Sequence, residues 1–369
     1  MCHFDRKNLF QQILEWRNLA VLFDYYLQQD FSTPLVPRYC RNDTANFSQI
    51  LTQNIMTTTK STFTRSLSHF GHFRVSGKDA AALLHHLTTN DINALKPGQS
   101  CEAVLVTGKA RCLDILTIAR LENEFLIITS PNRRDIFAPH ANGFIVFRQD
   151  VKIEDITGQV STIGVFGEDA HDVTSVYLSP DALPNKNEIT RIKINDIPVD
   201  VLHTDRLPGG GFLLTTPSAE TAQQIQENLK LSECDNQNYN ILRVEAGVPV
   251  AGLEITEAHN PWEANLDSMI SLHKGCYNGQ EIIARLNTYE KVKQHLKGVR
   301  LSGEVPANVE ITLQSDGKSA GEITSIVSSP RFGNIALAYI KKKYEPAETH
   351  LKVLFDGGEV DAEVVDLPF

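Results

Sequence analysis

The chain has 369 residues and a formal net charge of -10, with 41% hydrophobic and 22% charged residues. That is the balance of a globular protein long enough for two or three domains. With no apolar run of about 18 residues, no membrane-spanning helix and no membrane partner are expected. The acidic balance supplies no global attraction to nucleic acid.

Residues 1–62 read as a divergent N-terminal extension. Two helical pieces fit around Leu9–Leu27, with Phe10, Ile13, Leu14, Val21 and Leu22. Asp5, Glu15, Asp24, Asp30 and Asp43 argue against a transit peptide, which is acidic-poor. An extra helical hairpin, or an artefactual segment with the real start at Met56, are the other readings. From His72 the pattern changes. His72–Val75 reads as a strand, and Ser76-Gly77-Lys78-Asp79 as a capping box opening a helix over Ala80–Leu87. Ala103–Val106, Asp114–Ala119 and Phe125–Thr129 read as strands, with Thr107-Gly108-Lys109 as a hairpin turn. Strands and helices interleave to about residue 230, so residues 63–295 are expected to form α+β layers in two subdomains. In residues 296–369, six short strands are expected: Leu296–Leu301, Val309–Gln314, Gly321–Val327, Asn334–Ile340, His350–Phe355 and Val360–Val365. Turn signals such as Ser315-Asp316-Gly317-Lys318 separate them, and no helix intervenes. This predicts a small antiparallel β-barrel.

The densest chemistry is Lys274-Gly275-Cys276-Tyr277-Asn278-Gly279-Gln280-Glu281. Ile282, Ile283 and Leu286 place an apolar face on the helix that follows. Asn278 is a candidate cap, with Glu281 three residues on. Cys276 then precedes a helix N-terminus, and Lys274 adds positive charge; both favour a thiolate that could attack, bind metal or form a mixed disulfide. The plainer reading is a buried cysteine in a tight turn. The six cysteines (Cys2, Cys40, Cys101, Cys112, Cys234, Cys276) form no C-x-x-C pair. This fits a reducing, cytoplasmic compartment rather than a disulfide or zinc framework.

The octapeptide resembles the K-G-C-Y-x-G-Q-E signature of the YgfZ family of folate-binding proteins, within the aminomethyltransferase (glycine-cleavage T-protein, GcvT) superfamily. Four further segments support this in order. Val75–Ala80 with Leu87–Ile92 resembles the opening strand–helix–"TND" unit, and Val106–Arg111 with Asp114 the hairpin after it. Ser130-Pro131-Asn132-Arg133-Arg134 resembles the cyanobacterial and plastid branch, which makes a plastid the alternative location. Leu242–Pro249 resembles the "L-R-x-E-x-G-x-P" element. Together they span roughly residues 65–369. The resemblance implies folate-binding domains around a central cavity, closed on one side by the barrel, with tetrahydrofolate as cofactor. Asp114 matches an aspartate that contacts the reactive edge of tetrahydrofolate, where a carboxylate could move a proton; a strand-end aspartate capping a turn is the plain alternative. Arg243 and Glu245, two apart on a stretch read as extended, would face the same way. They are candidates for holding the cofactor or for an ion pair at a domain seam. The transferases' pterin-holding glutamate has no counterpart in Leu207–Phe212.

The resemblance thus implies a tetrahydrofolate-binding protein acting in iron–sulfur cluster assembly or repair, with iron–sulfur assembly or client proteins as partners. Cys276 and Lys274 would work at the cavity mouth, and Asp114, Arg243 and Glu245 around the folate. A lone cysteine cannot hold a cluster, so any cluster would be shared or passing. One alternative is folate-dependent one-carbon or aminomethyl transfer, or a tRNA-modification step. Another is a non-catalytic RNA- or protein-binding module using the basic stretch Arg285–Arg300, although such a run is more often a solvated face.

Overall fold

Alternating or fully apolar runs make most of the strands, and the computed structural model describes residues 62–207, 209–289, 291–306 and 309–369. They belong to one compact unit, Lys60–Phe369. The candidate helices around Leu9–Leu27 lie outside the described residues.

One antiparallel sheet has the order β3-β4-β5-β2-β6, made by β2 (Phe70–Ser76), β3 (Ser100–Val106), β4 (Cys112–Arg120), β5 (Glu124–Pro131) and β6 (Lys152–Asp155). A second has the order β1-β7-β10-β9-β8, from β1 (Phe63–Ser66), β7 (Ser161–Phe166), β8 (Ile189–Ile194), β9 (Ile197–Thr204) and β10 (Gly211–Thr216). Strands such as β4 and β10 are buried on both faces, which is why they read as continuous apolar runs rather than alternating ones. The two sheets face each other through Phe70, Leu126 and Ile128 on one side and Phe166, Leu202 and Leu213 on the other.

Helices cover the outer faces. Helix α1 (Ala80–Leu87) and α2 (Arg134–Asn142) pack Leu83, Leu84, Leu87 and Phe137 onto the first sheet. Helix α3 (Ala170–Leu178) and α4 (Ala219–Leu229) bring Ala170, Ala222, Ile225 and Leu229 to the second. Helix α1 has the span expected from sequence, but the capping box does not form. Asp79 is the flanking residue and makes no cap bond. The helix start is tied instead to Asp150: its backbone N donates to Asp79 Oδ2 at 2.8 Å, and Lys78 N donates to Asp150 Oδ2 at 3.4 Å.

Six strands close the C-terminal barrel in the order β11-β14-β13-β12-β15-β16, with β11 pairing back to β16. They are β11 (Gln294–Leu301), β12 (Ile311–Ser315), β13 (Lys318–Ser329), β14 (Gly333–Lys341), β15 (His350–Phe355) and β16 (Gly358–Val365). The β12–β13 turn places Asp316 and Gly317 at φ 49° and 73°, as a two-residue hairpin needs. The expectation of α+β layers followed by an antiparallel barrel holds. No helix among the described residues is long and apolar enough to cross a membrane.

Helix α5 (Asn236–Glu245) joins the layers to the barrel, packing on β13 and β14. Its anchor is Arg243, 3% exposed, which pairs with the fully buried Glu254 at 3.1 Å and donates to Ser325 Oγ at 2.7 Å. Glu254 also accepts from Val250 N (3.0 Å), Thr324 Oγ1 (2.9 Å) and Ser325 Oγ. Removing one member of such a pair strands the other charge in the interior. Glu254→Ala is therefore expected to lower stability by about 3–5 kcal/mol in urea unfolding, with Glu254→Gln costing less; an unchanged midpoint for Glu254→Ala would contradict this account of the seam.

Candidate functional site

A cavity of about 420 Å³ lies where β3, β4 and β5 meet the end of β9, helix α5 and the loop after it. Its volume falls within the range of small-molecule sites, about 300–1,000 Å³. Polar and apolar groups share the wall, and its charges are paired. Arg206 Nε donates to Glu102 Oε1 at 2.6 Å, and Nη2 donates to Thr117 Oγ1 at 2.8 Å. At the rim, Lys186 pairs with Asp205 at 2.6 Å. Tyr239 lines the cavity, and the Arg65 guanidinium lies 4.0 Å from the centre of its ring. Cys101 also lines the cavity, where burial pushes its thiol up to about 12. It is thus a neutral thiol at physiological pH.

Asp114 stands in the wall behind this surface. It is fully buried on β4, while its neighbours Ile115 and Ser130 reach the cavity. Its carboxylate accepts from Ile115 N at 2.8 Å and from Ser130 N at 3.3 Å. Burial raises its pKa to about 6, with the Ser130 and Ile115 bonds and the Arg206 charge pulling the other way.

The Lys274–Gly279 segment lies against helix α1. Asn278 N donates to His86 O at 2.8 Å, and Asn278 Nδ2 to Val106 O at 3.3 Å. The Lys274 ammonium is buried and donates to His85 O, Thr88 O and Asn90 O at 2.6, 2.6 and 2.7 Å. It also sits 4.5 Å from the centre of the Tyr277 ring. Burial lowers its pKa to about 7, opposed by Asp91 and Cys101; the three carbonyls favour the ammonium as well. Cys276 is exposed. Helix α6 (Gln280–Thr288) begins after Gly279, whose φ of 75° and close approach to Ala110 and Thr107 leave no room for a side chain.

The profile of the GCVT N-terminal domain matches residues 18–274, and that of the glycine cleavage T-protein C-terminal barrel domain matches residues 295–369. The chain belongs to the glycine cleavage T-protein family. It is 33% identical over 310 residues to the chloroplastic "Putative transferase" of Arabidopsis thaliana, covering 82% of this chain and 70% of that one. It is 28% identical over 333 residues to the aminomethyltransferase of Thermotoga maritima, covering 86% and 88%. Its fold matches the crystal structure of the glycine cleavage system aminomethyltransferase T from Bartonella henselae with a TM-score of 0.73 at 20% identity, covering 86% and 89%.

Within this T-protein fold the five residues singled out from sequence do not form one cluster. Arg243 lines the cavity, and Asp114 lies just behind its wall. Arg243 and Glu245 sit on a helix rather than an extended stretch, so they point to different sides. They do not pair with each other. Arg243 pairs with Glu254, while Glu245 accepts from Ser329 Oγ and from Arg331 Nη1 at 3.3 Å, both in the barrel region. Each makes its own ion pair at the seam rather than one with the other, and Arg243 also lines the cavity. Asn278 does not cap helix α6, which starts from Gly279 without a side-chain cap. Lys274 spends its three donors on backbone carbonyls and not on Cys276.

The sequence reading missed Glu102, Arg206 and Tyr239. Glu102 carried a signal, a lone acid in the apolar strand β3. Arg206 carried none, since its partners lie 104 and 89 residues away.

Asp114 makes stability depend on pH. Its folded pKa of about 6 exceeds the ordinary value of 3.8, so the folded state keeps the proton longer as pH rises. Its contribution is full below the ordinary value and is lost as pH climbs through about 6. Asp114→Asn removes the titration. The variant's stability relative to the parent should therefore rise between about pH 4 and 6 and then level off, by at most about 3 kcal/mol. Urea unfolding across that range checks it; a flat difference would mean Asp114 ionises normally.

Proposed function

We propose that this protein binds tetrahydrofolate in the central cavity and acts in the assembly or repair of iron–sulfur proteins, with Cys276 as the sulfur that meets the partner. The observation that carries the first half is the donor set of the cavity wall. Glu102 and Asp205 offer carboxylate oxygens, and Arg206 and Lys186 offer cationic donors, all lining the cavity. A reduced pterin presents N–H groups and a carbonyl to such a wall, and the folate tail presents carboxylates. The residues present fit the cofactor. Tetrahydrofolate, when bound, supplies an acceptor for one-carbon units. The chain's own residues bind and orient it, and Asp114 sets the charge of the wall from one layer behind.

The second half rests on the K-G-C-Y-x-G-Q-E likeness together with the exposure of Cys276. Ligation of iron through one cysteine is necessarily shared with a partner. A cytoplasmic or a plastid location suits this role.

Aminomethyl transfer is the second reading, favoured by relatives that carry that name. Against it, the Leu207–Phe212 stretch lacks the transferases' acid. Use of the basic stretch for RNA is disfavoured by two local pairings, Lys297 with Asp366 at 2.8 Å and His295 with Glu345 at 2.8 Å.

Anaerobic calorimetry should show tetrahydrofolate binding in the micromolar range, and Cys276→Ala should retain it. In a strain lacking the endogenous counterpart, the same variant should fail to restore iron–sulfur enzyme activities that the parent restores. Absence of tetrahydrofolate binding would end the folate half. Full restoration by Cys276→Ala would end the cysteine half. Turnover with an aminomethyl-lipoyl donor would favour the transferase reading.

A further inference from the structure

We propose that the carbonyl oxygens of His85, Thr88 and Asn90 form a built site for a monovalent, ammonium-type cation, which Lys274 fills with its own tethered ammonium as the positioning residue for Cys276; the link to Cys276 rests on the cysteine reading above. Lys274 is 5% exposed, and its Nζ donates to the three carbonyls at 2.6, 2.6 and 2.7 Å. Three acceptors at bonding distance use all three N–H groups of an ammonium, whereas a neutral amine has only two. No carboxylate among the described residues pairs with Nζ. The nearby Asp91 lies 3.2 Å from His85 Nδ1 instead and accepts from Ala94 N at 3.2 Å. The cation is thus held by neutral oxygens, as potassium is in carbonyl-lined filters. The Tyr277 ring, 6% exposed, closes another side at 4.5 Å.

The site exists because helix α1 ends there. The last carbonyls of a helix have no partner within it and form the negative end of its dipole. At this end Leu84 O accepts from Thr88 Oγ1 at 2.8 Å, His85 O from Lys274, and His86 O from Asn278 N at 2.8 Å. Two of these three are capped by the segment that carries Cys276. Lys274 and Asn278 therefore fasten that segment on either side of Cys276, which stays exposed between them. Ser271 N, donating to Thr89 O at 2.9 Å, adds a third attachment. Without the ammonium, three carbonyls would face one buried space unpaired. Leaving buried acceptors unpaired costs more than a typical hydrogen bond contributes, so the fastening before Cys276 is released.

The test removes the ammonium and returns it in solution. Lys274→Ala lacks the outer part of the side chain, which n-propylammonium replaces as a separate molecule. Hydrogen exchange of the Ser271 and Asn278 amides, both bonded across this contact, should be at least about tenfold faster in the variant. Added n-propylammonium should bring it back to within about threefold of the parent. Neither n-propanol, which has the chain without the charge, nor tetramethylammonium, which has the charge without an N–H, should restore it. Lys274→Met keeps the volume but no donor; it should exchange fast and ignore n-propylammonium, and it decides the matter alone should the alanine variant not fold. Parent-like exchange in a folded variant, or equal rescue by n-propanol or tetramethylammonium, overturns the cation site. In the complementation assay above, Lys274→Met should fail while still binding tetrahydrofolate. Restoration by Lys274→Met where Cys276→Ala fails overturns the link to Cys276 and leaves the cation site standing. Restoration by Cys276→Ala overturns the cysteine reading and that link with it, while the exchange result still decides the cation site.

Discussion

Glu254 is a carboxylate with no exposure at all, and the relation of the barrel to the cavity depends on its partners. Its oxygens are shared by Arg243 from helix α5, Thr324 and Ser325 from β13, and the backbone of Val250. Its own carbonyl accepts from Tyr339 Oη on β14 at 2.8 Å. A charge this deep is tolerated only where its lone pairs are filled. Meeting that requirement brings together the helix, the loop and the barrel. Because Arg243 and Val250 also line the cavity, the same requirement places part of the cavity wall.

Paired charge is the rule throughout that wall. Arg206 is balanced by Glu102, Lys186 by Asp205 and Arg243 by Glu254. A cavity lined in this way offers direction rather than net charge: it recognises a pattern of donors and acceptors more than an anion or a cation. Asp114 is the exception. It has no cation in contact, only the more distant pull of Arg206, and burial lifts it toward neutrality. A group poised there changes the wall's charge with a small change in its surroundings, such as a ligand that displaces water from the neighbouring Ile115 and Ser130.

The sequence made the fold more legible than the site, and the reason is physical. Barrel strands and hairpins are local patterns; the Asp316-Gly317 turn and the apolar runs of β11–β16 needed no distant partner to be read. Helix α5 was misread as an extended stretch on which Arg243 and Glu245 would face the same way. Their partners, Glu254, Ser325, Ser329 and Arg331, lie 11 to 86 residues downstream. The same holds for Lys274. A lysine two residues from a cysteine suggests a charged neighbour, but three carbonyls more than 180 residues away claim its ammonium. Glu102 and Arg206 are joined only by folding. Local chemistry could flag Cys276 and Asp114, but not which side chains line the cavity.

Lys274 alters how the cavity and Cys276 can be related. Its ammonium fills a cup of backbone oxygens in the manner of a bound monovalent cation, so it fixes the loop after helix α1 rather than polarising a thiol. Asn90 stands at both ends of this connection. Its side chain donates to the carbonyl of Glu102 on the cavity strand, and its own carbonyl accepts from Lys274. A second strap runs alongside, with Ser271 N donating to Thr89 O and Thr89 Oγ1 donating to Met269 O. The path from cavity wall to cysteine segment is therefore a short chain of hydrogen bonds through rigid backbone, not a field between two charges. Fields fade with salt and with distance through water, whereas a strapped backbone transmits a displacement with little loss. If ligand in the cavity changes the behaviour of Cys276, this geometry makes position the means, by shifting Asn90 and the loop that Lys274 holds.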